Sequence, residues 1–167
     1  KIYAFTKDTP DSESRELFLD TGRQLYSLSF HPDYETNGQV FVFSPKELEG
    51  DAEKQLSRVS RFQTTREHPR RASPESEQII VQWQAGGHNG GEAIIGPDGY
   101  LYISTGDSSS GSDPKATGQG VGDLLSVIMR IDVDNPEPDR AYSIPKDNPF
   151  VNYPGSRPEI WAFGFRN

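Results

Sequence analysis

The sequence from Gly86 to Asp107 reads GGHNGGEAIIGPDGYLYISTGD, and it contains the pattern that decides the fold. A glycine-rich loop holds a single histidine, His88, and is followed by the short apolar run Ala93 to Ile95. A Pro-Asp-Gly turn then leads into an alternating strand that ends near Asp107. Because such a unit folds back on itself, we expect the side chains of His88 and Asp107 to lie within direct or one-water hydrogen-bond reach. A histidine with a carboxylate behind it is an oriented general base.

The turn in this stretch has a counterpart 65 residues earlier, where Pro32-Asp33 corresponds to Pro97-Asp98. Each copy is flanked by strand-like segments of the same order along the chain. The predicted innermost strands are Leu25–Phe30 and Glu92–Ile95, the second strands Val40–Ser44 and Tyr100–Ser104, the third strands Leu56–Gln63 and Val127–Val133, and the fourth strand of the first copy Glu77–Trp83. A four-stranded unit that recurs in this way predicts the blade of a β-propeller.

The repeat therefore predicts an all-β fold in which the chain forms about two and a half blades of antiparallel four-stranded sheets. Residues Glu159–Asn167 are predicted to open a third copy. The alternative is a β-sandwich in which the Pro-Asp-Gly turn recurs by chance. Since propellers usually close with four to eight blades, we expect residues 1–167 to be one partial propeller domain, a fragment of a larger chain.

The composition excludes several function classes. A net charge of -8 argues against a nucleic-acid partner, because phosphate backbones are bound by basic surfaces. The chain has no cysteine and therefore no disulfide or thiol chemistry. Its longest apolar runs fall far short of the ~20 residues that cross a bilayer, so no transmembrane segment is predicted. The three histidines, His31, His68 and His88, share no metal-binding spacing, and no metal site is predicted.

Five further motifs, taken in order, resemble one known family. They are Ser29–Tyr34 with Asn37-Gly38, Gly87-His88 with Gly96–Gly99 and Thr105–Asp107, Leu124-Leu125 with Met129–Asp132, Ile144–Phe150, and Arg157–Asn167. Together they make the chain similar to the soluble glucose/sorbosone dehydrogenases, quinoproteins that use pyrroloquinoline quinone (PQQ) on a six-bladed propeller. The resemblance covers nearly the whole chain. Fold alone does not establish activity, so the site residues must be compared one by one.

The resemblance implies a role for four residues. His88 would be the base that removes a hydroxyl proton, with Asp107 as its partner, and Arg166 and Asn167 would contact PQQ. For Arg166 a second interpretation is open: a structural arginine that binds loop carbonyls at a blade junction. The family's calcium lies on PQQ and on backbone carbonyls further downstream, so this stretch is expected to supply no calcium ligand.

The implied activity is that of an oxidoreductase, the PQQ-dependent oxidation of a sugar or polyol hydroxyl, with a quinone or cytochrome as electron acceptor and a periplasmic or secreted location. The alternative is a redox-silent propeller that binds a protein or a glycan. Two departures from the family pattern leave the substrate open and do not indicate glucose itself. Tyr26 stands in a segment where the family usually has Gly-Leu-Leu-Gly, and Gly90-Gly91-Glu92 replaces the Ser-Gly-Arg of glucose-oxidising members.

Overall fold

The computed structural model describes residues 1–5, 13–46, 55–109 and 111–167. The strands within these residues are β1 (Ile2–Ala4), β2 (Glu16–Leu19), β3 (Ser27–Phe30), β4 (Gln39–Lys46), β5 (Leu56–Gln63), β6 (Gln78–Gln84), β7 (Ala93–Ile95), β8 (Leu101–Ser104), β9 (Val127–Ile131) and β10 (Ile160–Phe163). The helical elements in these ranges are the four-residue helix α1 (Tyr34–Asn37) and two 3-10 turns, Pro74–Ser76 and Thr117–Gln119. No helix in them is long and apolar enough to cross a bilayer. The predicted all-β class is confirmed.

The strands form two four-stranded antiparallel sheets and one two-stranded sheet. The first large sheet has the order β3-β4-β5-β6 and the second β7-β8-β9-β10, while β1 pairs with β2. As predicted, β3 and β7 lie at one edge of their sheets. These two edges meet, since the Ala93 N–H donates to Ser27 Oγ at 3.1 Å. Consecutive sheets whose first strands lie side by side are the arrangement of neighbouring propeller blades.

One part of the predicted repeat is wrong: Glu159–Asn167 does not open a third copy. β10 pairs antiparallel with β9, with Phe163 opposite Val127 and Ile160 opposite Met129, and so completes the second sheet. Ile160 is fully buried, which fixes the strand against the core. The fourth strand was not recognised because residues 132–159 intervene between it and β9, whereas β6 follows β5 after a shorter loop. The additional pair of strands, β1 and β2, lies at the other end of the chain.

The apolar run of β4 explains how the sheets stack. Phe41 and Phe43 pack into a core shared with the second sheet, whereas Val40 and Val42 pack into a second core beneath β1 and β2. All four side chains are at most 1% exposed. Because successive residues of a strand point to opposite faces, β4 is buried on both sides, and its sequence from Val40 to Phe43 is continuously apolar. The first large sheet is therefore enclosed between its neighbours, as a blade is.

An ion pair with a buried carboxylate anchors the long connection that leads into β10. The Glu159 side chain is 3% exposed and accepts hydrogen bonds from Tyr142 Oη at 2.7 Å and Arg157 Nη2 at 2.8 Å. Burial by itself raises the pKa of Glu159, but these two donors outweigh it and hold the pKa below its usual value. The backbone C=O of the same residue accepts from the Arg130 N–H at 2.8 Å, which ties the connection to β9.

The variant Glu159→Gln is expected to destabilise the protein by about 1–3 kcal/mol, because two donors lose a charged acceptor. The difference in the free energy of unfolding should have its full size above the ordinary glutamate pKa of 4.5. It should shrink as the pH falls through the lower folded-state pKa. Urea unfolding of both proteins between pH 3 and 7 measures it. Glu137→Gln, at an exposed pair with Arg140, is the matched control and should change stability by less than about 1 kcal/mol. A difference in stability that does not change with pH would contradict this role of the ionised Glu159 carboxylate.

Candidate active site

The predicted contact between His88 and Asp107 is present. His88 lies in the loop before β7, Asp107 follows β8, and the distance from His88 Nδ1 to Asp107 Oδ1 is 2.8 Å. The histidine side chain is 20% exposed and the aspartate side chain only 2%. The imidazole therefore reaches the surface while its partner is buried behind it. This is the geometry of an oriented base.

Two loops bind each other through their backbones at this point. The His88 N–H donates to the Ser109 C=O at 2.7 Å, and the Ser108 N–H donates to the His88 C=O at 2.9 Å. The Gly87 N–H also donates to the Ser108 C=O, at 3.3 Å. Both backbone polar groups of His88 are thus fixed to the segment that follows Asp107.

The glycines of this stretch are explained by how closely the two loops approach. A Cβ on Gly86 would lie 1.9 Å from the Ser108 C=O oxygen, and a Cβ on Gly106 would lie 2.4 Å from the His88 C=O oxygen. No side chain fits at such distances. The glycine-rich sequence around His88 is therefore a requirement of the loop pairing and not a phosphate-binding motif.

The electrostatics of the pair define which ring nitrogen of His88 donates to the carboxylate. Burial alone raises the pKa of Asp107, but the Ser109 N–H, at 2.8 Å from Oδ1, and the His88 ring together hold the pKa below its usual range. An ionised carboxylate only accepts hydrogen bonds, so Nδ1 of His88 bears the proton. In the neutral imidazole with this tautomer Nε2 presents its lone pair, and no residue in the described ranges hydrogen-bonds to it. Asp107 Oδ2 is buried and has no hydrogen-bond partner among the residues that the structure describes.

The structure also brings Arg166 and Asn167 to this site. The Asp107 N–H donates to the Arg166 C=O at 3.0 Å, and the Gly90 N–H donates to Asn167 Oδ1 at 3.2 Å. The Arg166 side chain is exposed and donates from Nη2 to the Gly111 C=O at 2.6 Å. The two residues were predicted to reach the site from a different blade. They instead follow β10, the last strand of the same sheet, because β10 belongs to the second blade.

The other two histidines lie elsewhere. His31 is buried in the turn before α1, where Nδ1 accepts from the Asp33 N–H at 2.9 Å and from Asn37 Nδ2 at 2.7 Å. Its Nε2 lies 3.1 Å from Asp134 Oδ1, so the residue links the first sheet to a loop of the second. His68 is exposed. Neither histidine contributes to the site around His88.

Two site residues gave no functional signal in the sequence. Asn89, directly after His88, is 8% exposed and binds both backbone polar groups of Gly86. Tyr26, which sequence analysis identified only as a departure from the family pattern, packs edge-on against Phe43 with ring centroids 5.4 Å apart. Nothing in local spacing indicates that these residues meet, since 63 positions separate Tyr26 from Asn89.

Open depressions flank the His88 loop. One of about 760 Å³ runs along Asp107 and the exposed segment 111–115, and its floor includes Gly86 and Gly87. A second of about 590 Å³ lies beside Tyr26, Asn89 and Asn167. In the described ranges no three acidic or histidine side chains come together to hold a metal ion. Both depressions are lined by Gly87, and the second also by Asn89, so they border the loop that carries His88.

Comparison with known proteins agrees with this fold. The sequence profile of the glucose/sorbosone dehydrogenases matches residues 16–167. The mouse (Mus musculus) Hedgehog-interacting protein is 31% identical over 150 residues, which are 87% of this chain and 21% of that protein.

Two solved structures superpose closely. The soluble aldose sugar dehydrogenase from Escherichia coli, in its apo form, gives a TM-score of 0.72 at 20% identity, covering 99% of this chain and 45% of that one. The PQQ-bound aldose sugar dehydrogenase from Streptomyces coelicolor gives 0.60 at 24% identity, covering 87% of this chain and 37% of that one. At such identities the likeness establishes the fold, a β-propeller. The chain spans about a fifth of the matched Hedgehog-interacting protein and less than half of each superposed structure.

Proposed function

The chain belongs to the glucose/sorbosone dehydrogenase family, and from that premise we propose that the protein is a PQQ-dependent dehydrogenase of a sugar or polyol. The proposal assigns the general base to His88 and its orientation to Asp107. The observation that supports it most is the 2.8 Å contact between His88 Nδ1 and Asp107 Oδ1, with Nε2 left without a hydrogen bond in the described ranges.

The residues around the dyad fit an anionic quinone cofactor. Arg166 and Lys115 place cations at the larger depression: Lys115 lines it, and Arg166 binds the C=O of Gly111 on its wall. Guanidinium groups suit carboxylates and quinone oxygens. When bound, PQQ supplies the electron acceptor that takes a hydride from the substrate carbon. Arg166 and Asn167 would hold it, as the resemblance implies.

The chain's own part in the chemistry is a proton transfer. His88 Nε2 accepts the proton of the substrate hydroxyl as the C–H bond breaks. Before the transfer, the ionised and buried Asp107 keeps the proton of the neutral imidazole on Nδ1. After the transfer, it stabilises the imidazolium. Such a positioned base contributes typically 10²–10⁴-fold to a rate. The same proposal includes a quinone or cytochrome as final acceptor and a periplasmic or secreted location.

Calcium is the other group that the resemblance implies. The described residues offer no cluster of acidic side chains for it. Its ligands, if they follow the family pattern, are backbone carbonyls. The proton transfer proposed for His88 does not involve the ion.

A redox-silent binding protein is the second candidate, and the 31% identity to a Hedgehog-interacting protein favours it. Titration of the full-length protein with PQQ and calcium separates the two, when it is followed by dye reduction with a panel of aldoses and polyols. Saturable PQQ binding with sugar-dependent dye reduction is the result expected of the dehydrogenase. Absence of both would favour the binding protein.

The variant Arg166→Ala tests the cofactor contact. If the guanidinium holds PQQ, the variant should bind PQQ at least about tenfold more weakly, because charge-assisted hydrogen bonds contribute about 1.5–3 kcal/mol. Arg140→Ala, at an exposed pair on another loop, should bind it as the wild type does. Since Arg166 already donates to the Gly111 C=O, unchanged PQQ affinity with lower thermal stability would instead establish the structural role.

A further inference from the structure

The side chain of Asn89 closes a small ring of chain around His88. Its Oδ1 accepts from the Gly86 N–H at 2.8 Å, and its Nδ2 donates to the Gly86 C=O, also at 2.8 Å. One carboxamide therefore binds both polar groups of a single peptide residue. The closed segment runs from residue 86 to residue 89, and the imidazole projects from within it.

The same carboxamide reaches the neighbouring sheet. Its Nδ2 lies 3.4 Å from Tyr26 Oη, and its Oδ1 lies 3.5 Å from Ser57 Oγ. Tyr26 directly precedes β3 and Ser57 lies on β5, so both partners belong to the first large sheet. Asn89 is 8% exposed. The loop of the second sheet is thus fixed to the first sheet through one buried side chain.

Only a carboxamide can make this set of contacts. Asparagine offers two donors and an acceptor, whereas aspartate has the same shape but no donor when ionised. An aspartate here would leave the Gly86 C=O without its partner and place a charge in a buried position, both of which are costly. The opposite side of the loop is already fixed by backbone bonds from His88 to Ser108 and Ser109. Asn89 therefore fixes the side of the segment that faces the first large sheet.

We propose that Asn89 is a positioning residue for His88: it holds the 86–89 ring against Tyr26, so that Nε2 is presented at a fixed place beside the depressions. The expected effect on kcat rests on the proposed function, whereas the expected effect on the position of His88 does not. A displacement of about 1 Å in a reacting group can cost on the order of 10²-fold in rate. Substrate binding depends less on the imidazole position, so the effect belongs to kcat.

The test compares Asn89→Asp with Asn152→Asp in the full-length protein. Asn152 is exposed and outside the site, so the control makes the same change in charge and size. With PQQ loaded, Asn89→Asp should lower kcat about 10–100-fold with a smaller change in KM, and Asn152→Asp should behave as wild type. Without cofactor, the readout is the His88 Cε1–Hε1 NMR signal of histidine-labelled protein, which is assigned by its loss in His88→Gln. This signal should shift or broaden in Asn89→Asp but not in Asn152→Asp.

A folded Asn89→Asp variant with wild-type kcat and an unmoved His88 signal overturns the proposal. If Asn89→Asp does not fold, Tyr26→Phe decides, because it removes only the hydroxyl that Asn89 binds. A shifted His88 signal then supports the proposal and an unmoved one overturns it. If wild-type protein shows no sugar oxidation, the dehydrogenase assignment fails while the NMR comparison still decides the role of Asn89.

Discussion

Replacement of His88 by glutamine is expected to lower kcat of the PQQ-loaded protein by about 10²–10⁴-fold, the contribution of a positioned general base. Glutamine can still donate to Asp107 Oδ1 but has no basic nitrogen to take the hydroxyl proton. The fold should survive, since the imidazole is partly exposed and His88 is not a member of either hydrophobic core of the described residues. Steady-state dye reduction over a range of sugar concentrations measures the effect.

The matched control for this variant is His68→Gln, which makes the same change at an exposed histidine outside the site. It should leave kcat and KM unchanged. A His88→Gln protein that retains kcat within a factor of two, with normal PQQ binding, would remove His88 from the mechanism. The contact with Asp107 would then be a structural one.

Replacement of Asp107 by asparagine is expected to lower kcat by a similar factor, about 10²–10⁴-fold. The new amide can donate toward His88 Nδ1, which favours the tautomer with the proton on Nε2. That tautomer has no lone pair to present to the substrate. The proximity of the two side chains, 2.8 Å in the native protein, would be preserved.

The readout for Asp107→Asn is the imidazole tautomer as well as the rate. Nitrogen chemical shifts of labelled His88 should report a proton on Nδ1 in the wild type and on Nε2 in the variant. Asp139→Asn, at a largely exposed carboxylate, is the control. A variant with an unchanged tautomer and full activity would show that the carboxylate does not orient the base.

Much of the architecture was visible in the sequence because it depends on local chemistry. Pro97-Asp98-Gly99 makes a tight turn, with the Gly99 N–H donating to the Gly96 C=O at 3.0 Å. The alternation in β8 and the continuous apolar run in β4 reflect burial on one face and on two faces respectively. The order of the strands from β3 to β6 and from β7 to β9 was predicted correctly, whereas β2 was not predicted.

The errors arose where pairing is decided by distant parts of the chain. β10 was assigned to a third copy because residues 132–159 separate it from β9, and local pattern does not specify which edge a strand joins. The sequence predicted that His88 meets Asp107, since a single turn folds one segment onto the other. The sequence could not predict the hydrogen bonds of Asn89, because its partners Tyr26 and Ser57 come from another sheet.

Single-turnover reduction of the bound cofactor tests most directly whether His88 takes a proton during PQQ-dependent sugar oxidation. PQQ-loaded full-length protein is mixed without oxygen with an aldose or polyol found active in dye reduction, and the cofactor absorbance is followed by stopped flow. The account predicts rapid reduction in the wild type and reduction at least about 100-fold slower in His88→Gln, with equal PQQ content. Equal rates in the two proteins, or no reduction in wild type by any sugar of the panel, would contradict it.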